Sequence, residues 1–166
     1  MDNINNILIK DNPLTWDETE HTETTQLLKI LIFNIGNITF GISIDQIYKV
    51  VSSAQIYSSE GNWVGVSHIG EREVTVLDLQ KKFFHPHTQQ GYLIIIQYTD
   101  NELYGILVET VPALIDVPLS QIRVLPPSFR HADALGIASH VAIINDQDTT
   151  QTIFLLDLVA TLKFLQ

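Results

Sequence analysis

Histidines are the side chains of this sequence best placed to do chemistry. His85-Pro86-His87 sets two imidazoles close together, while His21, His68, His131 and His140 lie elsewhere. Two imidazoles suggest metal ligation, but a metal ion needs three or four converging ligands at fixed geometry. There is no HExxH, no cysteine in the chain and no cluster of acids beside HPH. Lying between Phe83-Phe84 and Thr88-Gln89-Gln90-Gly91, HPH reads as a surface linker. His68 and His140 each follow a serine. A histidine entering a strand can satisfy a neighbouring carbonyl and hold a corner of the fold, and both are read that way. Asp78 and Asp157 each sit inside an LDL triplet, where a carboxylate can accept backbone amides of the next turn. They are read as caps, not as a catalytic pair. Phosphate-cradling glycine loops and a GxSxG nucleophile turn are also absent. The expectation is no catalytic residue, no bound metal and no cofactor.

These matched pairs belong to a longer echo. Residues 40–51 read FGISIDQIYKVV and residues 104–115 read YGILVETVPALI. Aromatic meets aromatic at Phe40/Tyr104, glycine meets glycine at Gly41/Gly105, and acid meets acid at Asp45/Glu109. Aliphatic residues match at Ile44/Val108, Ile47/Val111, Val50/Leu114 and Val51/Ile115. A gapless match of this kind marks an internal repeat. It continues through Val66-Ser67-His68 and Ala138-Ser139-His140, then through the two LDL triplets.

Each half opens with a hairpin pattern: residues 29–35 and 38–44 around Gly36-Asn37, then residues 92–98 and 102–108 around Thr99-Asp100-Asn101. Neither pair alternates cleanly, which predicts strands buried on both faces. The apolar spacing after each hairpin predicts one turn of helix running into an extended strand. Pro112 limits the second such helix, because proline has no amide to donate. Residues 159–165 (VATLKFL) predict a terminal helix with Asp157 as its cap. The fold class is mainly β: two small barrels side by side, each filled by its own side chains, with short helices and a C-terminal helix. Function then falls on the outer surface or in the seam.

The composition fits that outline. With 45% hydrophobic residues in 166, a sizeable core can be buried. The net charge is −10, half of it in residues 1–26, where six acids face Lys10 alone. That segment predicts a flexible acidic tail, with Leu8, Ile9, Leu14 and Trp16 as its apolar exceptions. No basic stripe supports nucleic-acid binding. The start of the sequence lacks the pattern of a secretory signal, and no apolar run is long enough to span a bilayer. A soluble, cytoplasmic protein with no direct membrane insertion is expected.

In order along the chain, Phe40-Gly41-Ile42, the segment Asp45 to Val51, Gly65-Val66, the segment Val76 to Leu79, and Tyr104-Gly105-Ile106 resemble the CheW-like family. The resemblance covers about residues 28–166. It implies two SH3-like five-stranded barrels with a hydrophobic seam: tail 1–26, domain 27–166, first barrel 28–84, second barrel 91–158 and C-terminal helix 159–166. It implies a non-enzymatic adaptor that couples methyl-accepting chemoreceptors to a CheA-type histidine kinase through the kinase's own CheW-like regulatory domain. Receptor tips would dock in the groove between barrels. By position, the groove residues are Ile44, Ile47, Val50 and Val51, faced by Val108 and Val111.

The sequence departs from the family at one turn. Where the family shows N-x-R-G and then a proline, this chain has His68-Ile69-Gly70-Glu71 and Thr75. Arg72, two residues beyond the usual arginine slot, is the candidate partner contact. Two other readings stand beside the adaptor: a small-molecule sensor with its ligand in the seam, and a metal-assisted enzyme using His68 and His140.

Overall fold

The β-branched and aromatic residues after Gln26 form an antiparallel hairpin of β1 (Leu27–Ile35) and β2 (Ile38–Ser43), turning at Gly36 with φ +62°. The structure, a computed structural model, describes residues 25–87, 90–129 and 133–165. All but the last two residues of the expected acidic tail, and His131, lie outside the described residues. A 3-10 turn over Ile44–Gln46 leads into β3 (Ile47–Ser52), as the apolar spacing predicts. Then come β4 (Val64–Ile69), β5 (Arg72–Leu77) and the short helix α1 (Leu79–Phe83). The second hairpin is β6 (Tyr92–Thr99) and β7 (Glu102–Val108). It is followed by β8 (Ala113–Pro118), β9 (Ile122–Val124), β10 (Ala138–Asp146), β11 (Thr149–Leu156) and the terminal helix α2 (Leu158–Leu162).

No helical turn precedes β8. The predicted one fails because Pro112 withholds a donor and the flanking valines favour extended backbone. A 3-10 turn comes only after β8, over Leu119–Gln121. Both aspartate caps form: Asp78 accepts from the Lys81 amide at 3.0 Å and Asp157 from the Ala160 amide at 3.2 Å. Each is worth about 1 kcal/mol.

The strands make two sheets, in the orders β8-β1-β2-β11-β10-β9 and β3-β6-β7-β5-β4. This corrects the expected boundaries. Residues 28–84 and 91–158 do not each supply one barrel, because the hairpins are exchanged. The β1–β2 hairpin joins the strands of the second half, through parallel pairing of Phe40 with Phe154 and Gly41 with Leu155. The β6–β7 hairpin joins those of the first half, where Thr75 pairs with Tyr104 and Val76 with Gly105. The two halves thus interlock with matching registers. Even β9 has a counterpart: the lone bridge of Tyr57 to Val66 lies on β4 as β9 lies on β10.

Three apolar clusters follow from this arrangement. Ile30, Val117, Ala142 and Ile153 fill the first barrel. Val74, Val76, Leu93, Ile95 and Leu103 fill the second. The largest lies between the barrels and takes Leu31, Phe33 and Phe40 from one sheet and Ile94, Ile96 and Ile106 from the other. Successive residues of β1 and β6 therefore enter different cores, which is why neither strand shows a polar face. Gly105 fits this crowding. A Cβ there would come within 2.8 Å of Leu93 Cδ1, whereas at the matching Gly41 the nearest atom would be Ile153 Cγ2 at 3.1 Å.

The described start of the linker between the halves is pinned at His87. His85 is exposed, but the His87 side chain is only 11% exposed, which corrects its reading as part of a surface linker. Its Nε2 lies 2.7 Å from Asp78 Oδ1, and its Nδ1 lies 3.5 Å from Glu109 Oε1, an ion-pair separation. The Asp78 hydrogen bond, aided by the charges of Asp78 and Glu109 and opposed by burial, raises the His87 pKa above its usual 6.5. The His87 ring thereby ties its segment both to the cap of α1 and to the residue after β7.

Two measurements check this account. Gly105→Ala overpacks the second barrel and is expected to cost about 1–3 kcal/mol in urea unfolding, more than Gly41→Ala. His87 stabilises the fold when protonated, and its folded pKa lies above the unfolded one. Its contribution is therefore full below about pH 6.5 and is lost as pH rises through the raised value. The stability gap between the native chain and His87→Gln should be widest at mildly acidic pH and narrow on the alkaline side. A gap that widens with pH overturns the assignment.

Candidate functional site

Strands β3 and β8 hold equivalent places in the two sheets, each at one end beside the first strand of a hairpin. Between them opens a groove of about 420 Å³. Leu31 floors it. Val50 and Ser52 come from β3, Leu114 from β8, and Tyr92, Val111 and Pro112 from the adjoining segments. Val50 is 40% exposed, Leu114 53% and Val111 68%, so the groove presents apolar surface to solvent.

Of the six groove residues predicted from sequence, only Val50 and Val111 line it. Val108 is corrected outright. It is 1% exposed and belongs to the core between the barrels, because it ends β7 on the inward side of the sheet. Ile47 packs against the same core, and Val51 packs into the second barrel. Ile44 is exposed on the 3-10 turn, away from the groove lining. Sequence reasoning missed Leu114 and Tyr92. The signal for Leu114 was present, since it is the echo of Val50. An approximate two-fold relation between halves brings matched positions of β3 and β8 to opposite walls of one groove. Tyr92 carries no such mark.

The His87 tie lies next to this site in the chain. Glu109 is two residues from Val111, and the Gly91 carbonyl before Tyr92 accepts from the Ser53 amide at 3.0 Å. Gly91 allows only glycine, since a Cβ would sit 1.9 Å from the Val108 carbonyl oxygen. Both segments that wall the groove are thus held by fixed contacts.

A second surface surrounds Arg72 at the turn of β4 and β5. Its guanidinium lies 5.3 Å from the Tyr48 ring centre and donates to the Asp100 carbonyl at 3.0 Å. Tyr98 and Tyr104 meet edge to face at 5.9 Å nearby on the same hairpin. Burial, with Glu102 beside it, raises the Tyr104 pKa. Tyr48 and Tyr98 remain 45% and 43% exposed. Tyrosine and arginine grouped on a rigid barrel end are the residue types that dominate binding energy at interfaces.

A third feature is a cleft of about 430 Å³ between the sheets, lined in part by Gln46, Gln97, His140 and Asp157. There Ser139 Oγ lies 2.8 Å from His140 Nδ1. His68 is on β4, in the other barrel, and its neighbour Ser67, not the histidine, donates to the Gln55 carbonyl at 2.7 Å. The structure therefore does not bring His68 and His140 together. Among the described residues, no three His, Asp or Glu side chains converge as a metal site, and no helix is long and apolar enough to cross a membrane.

Comparison with known proteins places this architecture. Residues 29–165 match the family model of the CheW-like domain. The scaffolding protein TtCheW from Thermoanaerobacter tengcongensis superposes with a TM-score of 0.65 at 20% sequence identity, over 83% of this chain and 89% of that one. No curated protein matches. The structural likeness carries the fold, two SH3-like β-barrels, and the family model spans nearly every described strand. The chain belongs to the CheW-like family, a family of scaffold proteins in chemotaxis signal transduction.

Proposed function

We propose that this protein is a non-enzymatic, cytoplasmic adaptor that couples chemoreceptors to a CheA-type histidine kinase. The observation that carries the reading is the open apolar groove between β3 and β8. It accepts an apolar receptor tip, with Val50, Val111 and Leu114 as the contacting walls. Contiguous exposed apolar surface framed by polar residues is characteristic of a protein-docking site. The kinase's regulatory domain takes the other surface. Arg72 is held by Tyr48 and Asp100, so it meets a partner with little further loss of side-chain freedom. It stands in this way for the arginine missing from the preceding turn. Two separate surfaces let one molecule bridge two partners, and an array multiplies weak contacts through effective concentration.

Single substitutions separate the two surfaces. Val111→Asp puts a charge into the groove and should weaken receptor-tip binding about ten-fold or more, with kinase-domain binding intact. Because Val111 is exposed, stability should change by less than about 0.5 kcal/mol. Arg72→Ala should do the reverse, weakening the kinase domain alone. Titration of each variant against both purified partners decides. Wild-type protein that binds neither partner at high micromolar concentration rejects the adaptor reading.

The cleft at Gln46, Gln97 and His140 favours a second reading, a sensor of a small polar ligand in the seam. A metabolite that prefers the native state raises the melting temperature. On this reading the rise should disappear in His140→Ala. A metabolite screen with no such rise rejects it.

A further inference from the structure

The chain enters the fold at the edge of its own groove. β1 begins at Leu27, and Leu31, four residues on, floors the groove, about 13 Å along the strand. Upstream, residues 7–16 read ILIKDNPLTW, in which Ile7, Leu8, Ile9, Leu14 and Trp16 are large apolar side chains interrupted by Lys10, Asp11 and Asn12. Residues 17–26, DETEHTETTQ, separate that segment from Leu27 and contain no large apolar side chain. The sequence is thus an apolar plug, a polar spacer and then the strand that floors an apolar groove.

We propose that residues 7–16 seat their apolar side chains, Trp16 foremost, in the β3–β8 groove of the same molecule. The spacer has the reach. Ten residues of polar chain span about 17 Å as a random coil, close to the 13 Å that separates Leu27 from the groove floor. A linker matched to its span gives the highest effective concentration, in the millimolar range for a short tether. Even a weak plug is then substantially seated. The groove offers Val50, Val111 and Leu114 as exposed apolar walls, and an indole supplies large contact area with few rotors to fix. The occupant is the chain itself. A second copy's tail or an external protein would need to exceed that local concentration. If the groove is also the receptor-docking surface, which rests on the function proposed above, the protein carries its own competitor for that surface. The seating itself does not depend on that reading.

The test needs no receptor. The native sequence lacks cysteine, so pairs of cysteines can be introduced into the full chain without background. Thr15→Cys with Ser52→Cys, which keep Trp16 and the apolar walls, should form an intramolecular disulfide about ten-fold faster than Thr15→Cys with Asn101→Cys, at the far end of β6 from the groove. Equal rates overturn the proposal, and so does a product that is mainly a covalent dimer, which assigns the tail to a second copy. A cysteine-free check uses Trp63→Phe, which leaves Trp16 as the sole indole. Its emission should be blue-shifted, and Val111→Asp should move it to the red. Emission that is already that of a water-exposed indole and does not respond to Val111→Asp overturns the proposal. A Trp16→Ser chain, relieved of its competitor, that still binds no receptor tip would count against the adaptor reading alone.

Discussion

Everything in this structure depends on the middles of two strands, residues 30–33 of β1 and 93–96 of β6, having no outside. β1 and β6 each send alternate residues into a barrel and into the layer between barrels: Ile30 against Leu31 and Phe33, Leu93 and Ile95 against Ile94 and Ile96. Each fully buried aliphatic side chain contributes about 1.5–3 kcal/mol of transfer free energy. Most of that is realised only when both barrels are present. A barrel alone would leave half of its central strand in water. The exchange of hairpins removes the choice. Each barrel is built from both halves of the chain, so neither half can complete a sheet without the other. The molecule is one cooperative unit, although its sequence is a tandem repeat.

The same interlocking shapes the surface. Small barrels crowd where their strands cross, and Gly41 and Gly105 stand at matched points in the parallel pairings that join one half to the other. Leu93 fills the space that a side chain at Gly105 would need. Because the exchange is reciprocal, matched positions of the repeat come together instead of lying in separate barrels. Val50 and Leu114 therefore become opposite walls of one groove. The His87 tie lies close to the same walls in the chain. His87, five residues before Tyr92, lies 3.5 Å from Glu109, two residues before Val111.

What could be read from the sequence was mostly local. The hairpins, the Gly36 turn and the Asp78 and Asp157 caps depend on neighbours a few residues away, and all formed as read. The resemblance to a family added the barrel type, which no local pattern contains. The partition of strands was illegible for a physical reason. Two tandem barrels and two hairpin-exchanged barrels have the same repeat, turns and hydrophobic pattern, and differ only in which strands pair. Val108 misled because its spacing places it on one stripe with Val111, while the strand ends between them and the stripe divides. His87 misled because its partners are nine and twenty-two residues away in the chain, beyond any local motif. Of the groove, the repeat supplied Val50 and implied Leu114, whereas Tyr92 and Leu31 could be recognised only with the sheets in place.

A core built between two barrels must reach the surface somewhere, and the position of Pro112 decides how. With no amide to donate, it delays the start of β8 to Ala113 and leaves Val111 outside the sheet. Had the strand begun at Val111, its backbone would have paired with β1 and its side chain would have taken a face of the sheet. Instead the layer between the barrels ends in an open lip of Val50, Val111 and Leu114 above the buried Leu31. That lip is large enough to hold a few side chains of another segment. It is small beside the standard protein interface of about 1,600 Å². The physical requirement on this fold is therefore double: a seam hydrophobic enough to lock two barrels together, and a termination of that seam abrupt enough to leave only a narrow strip of it for others.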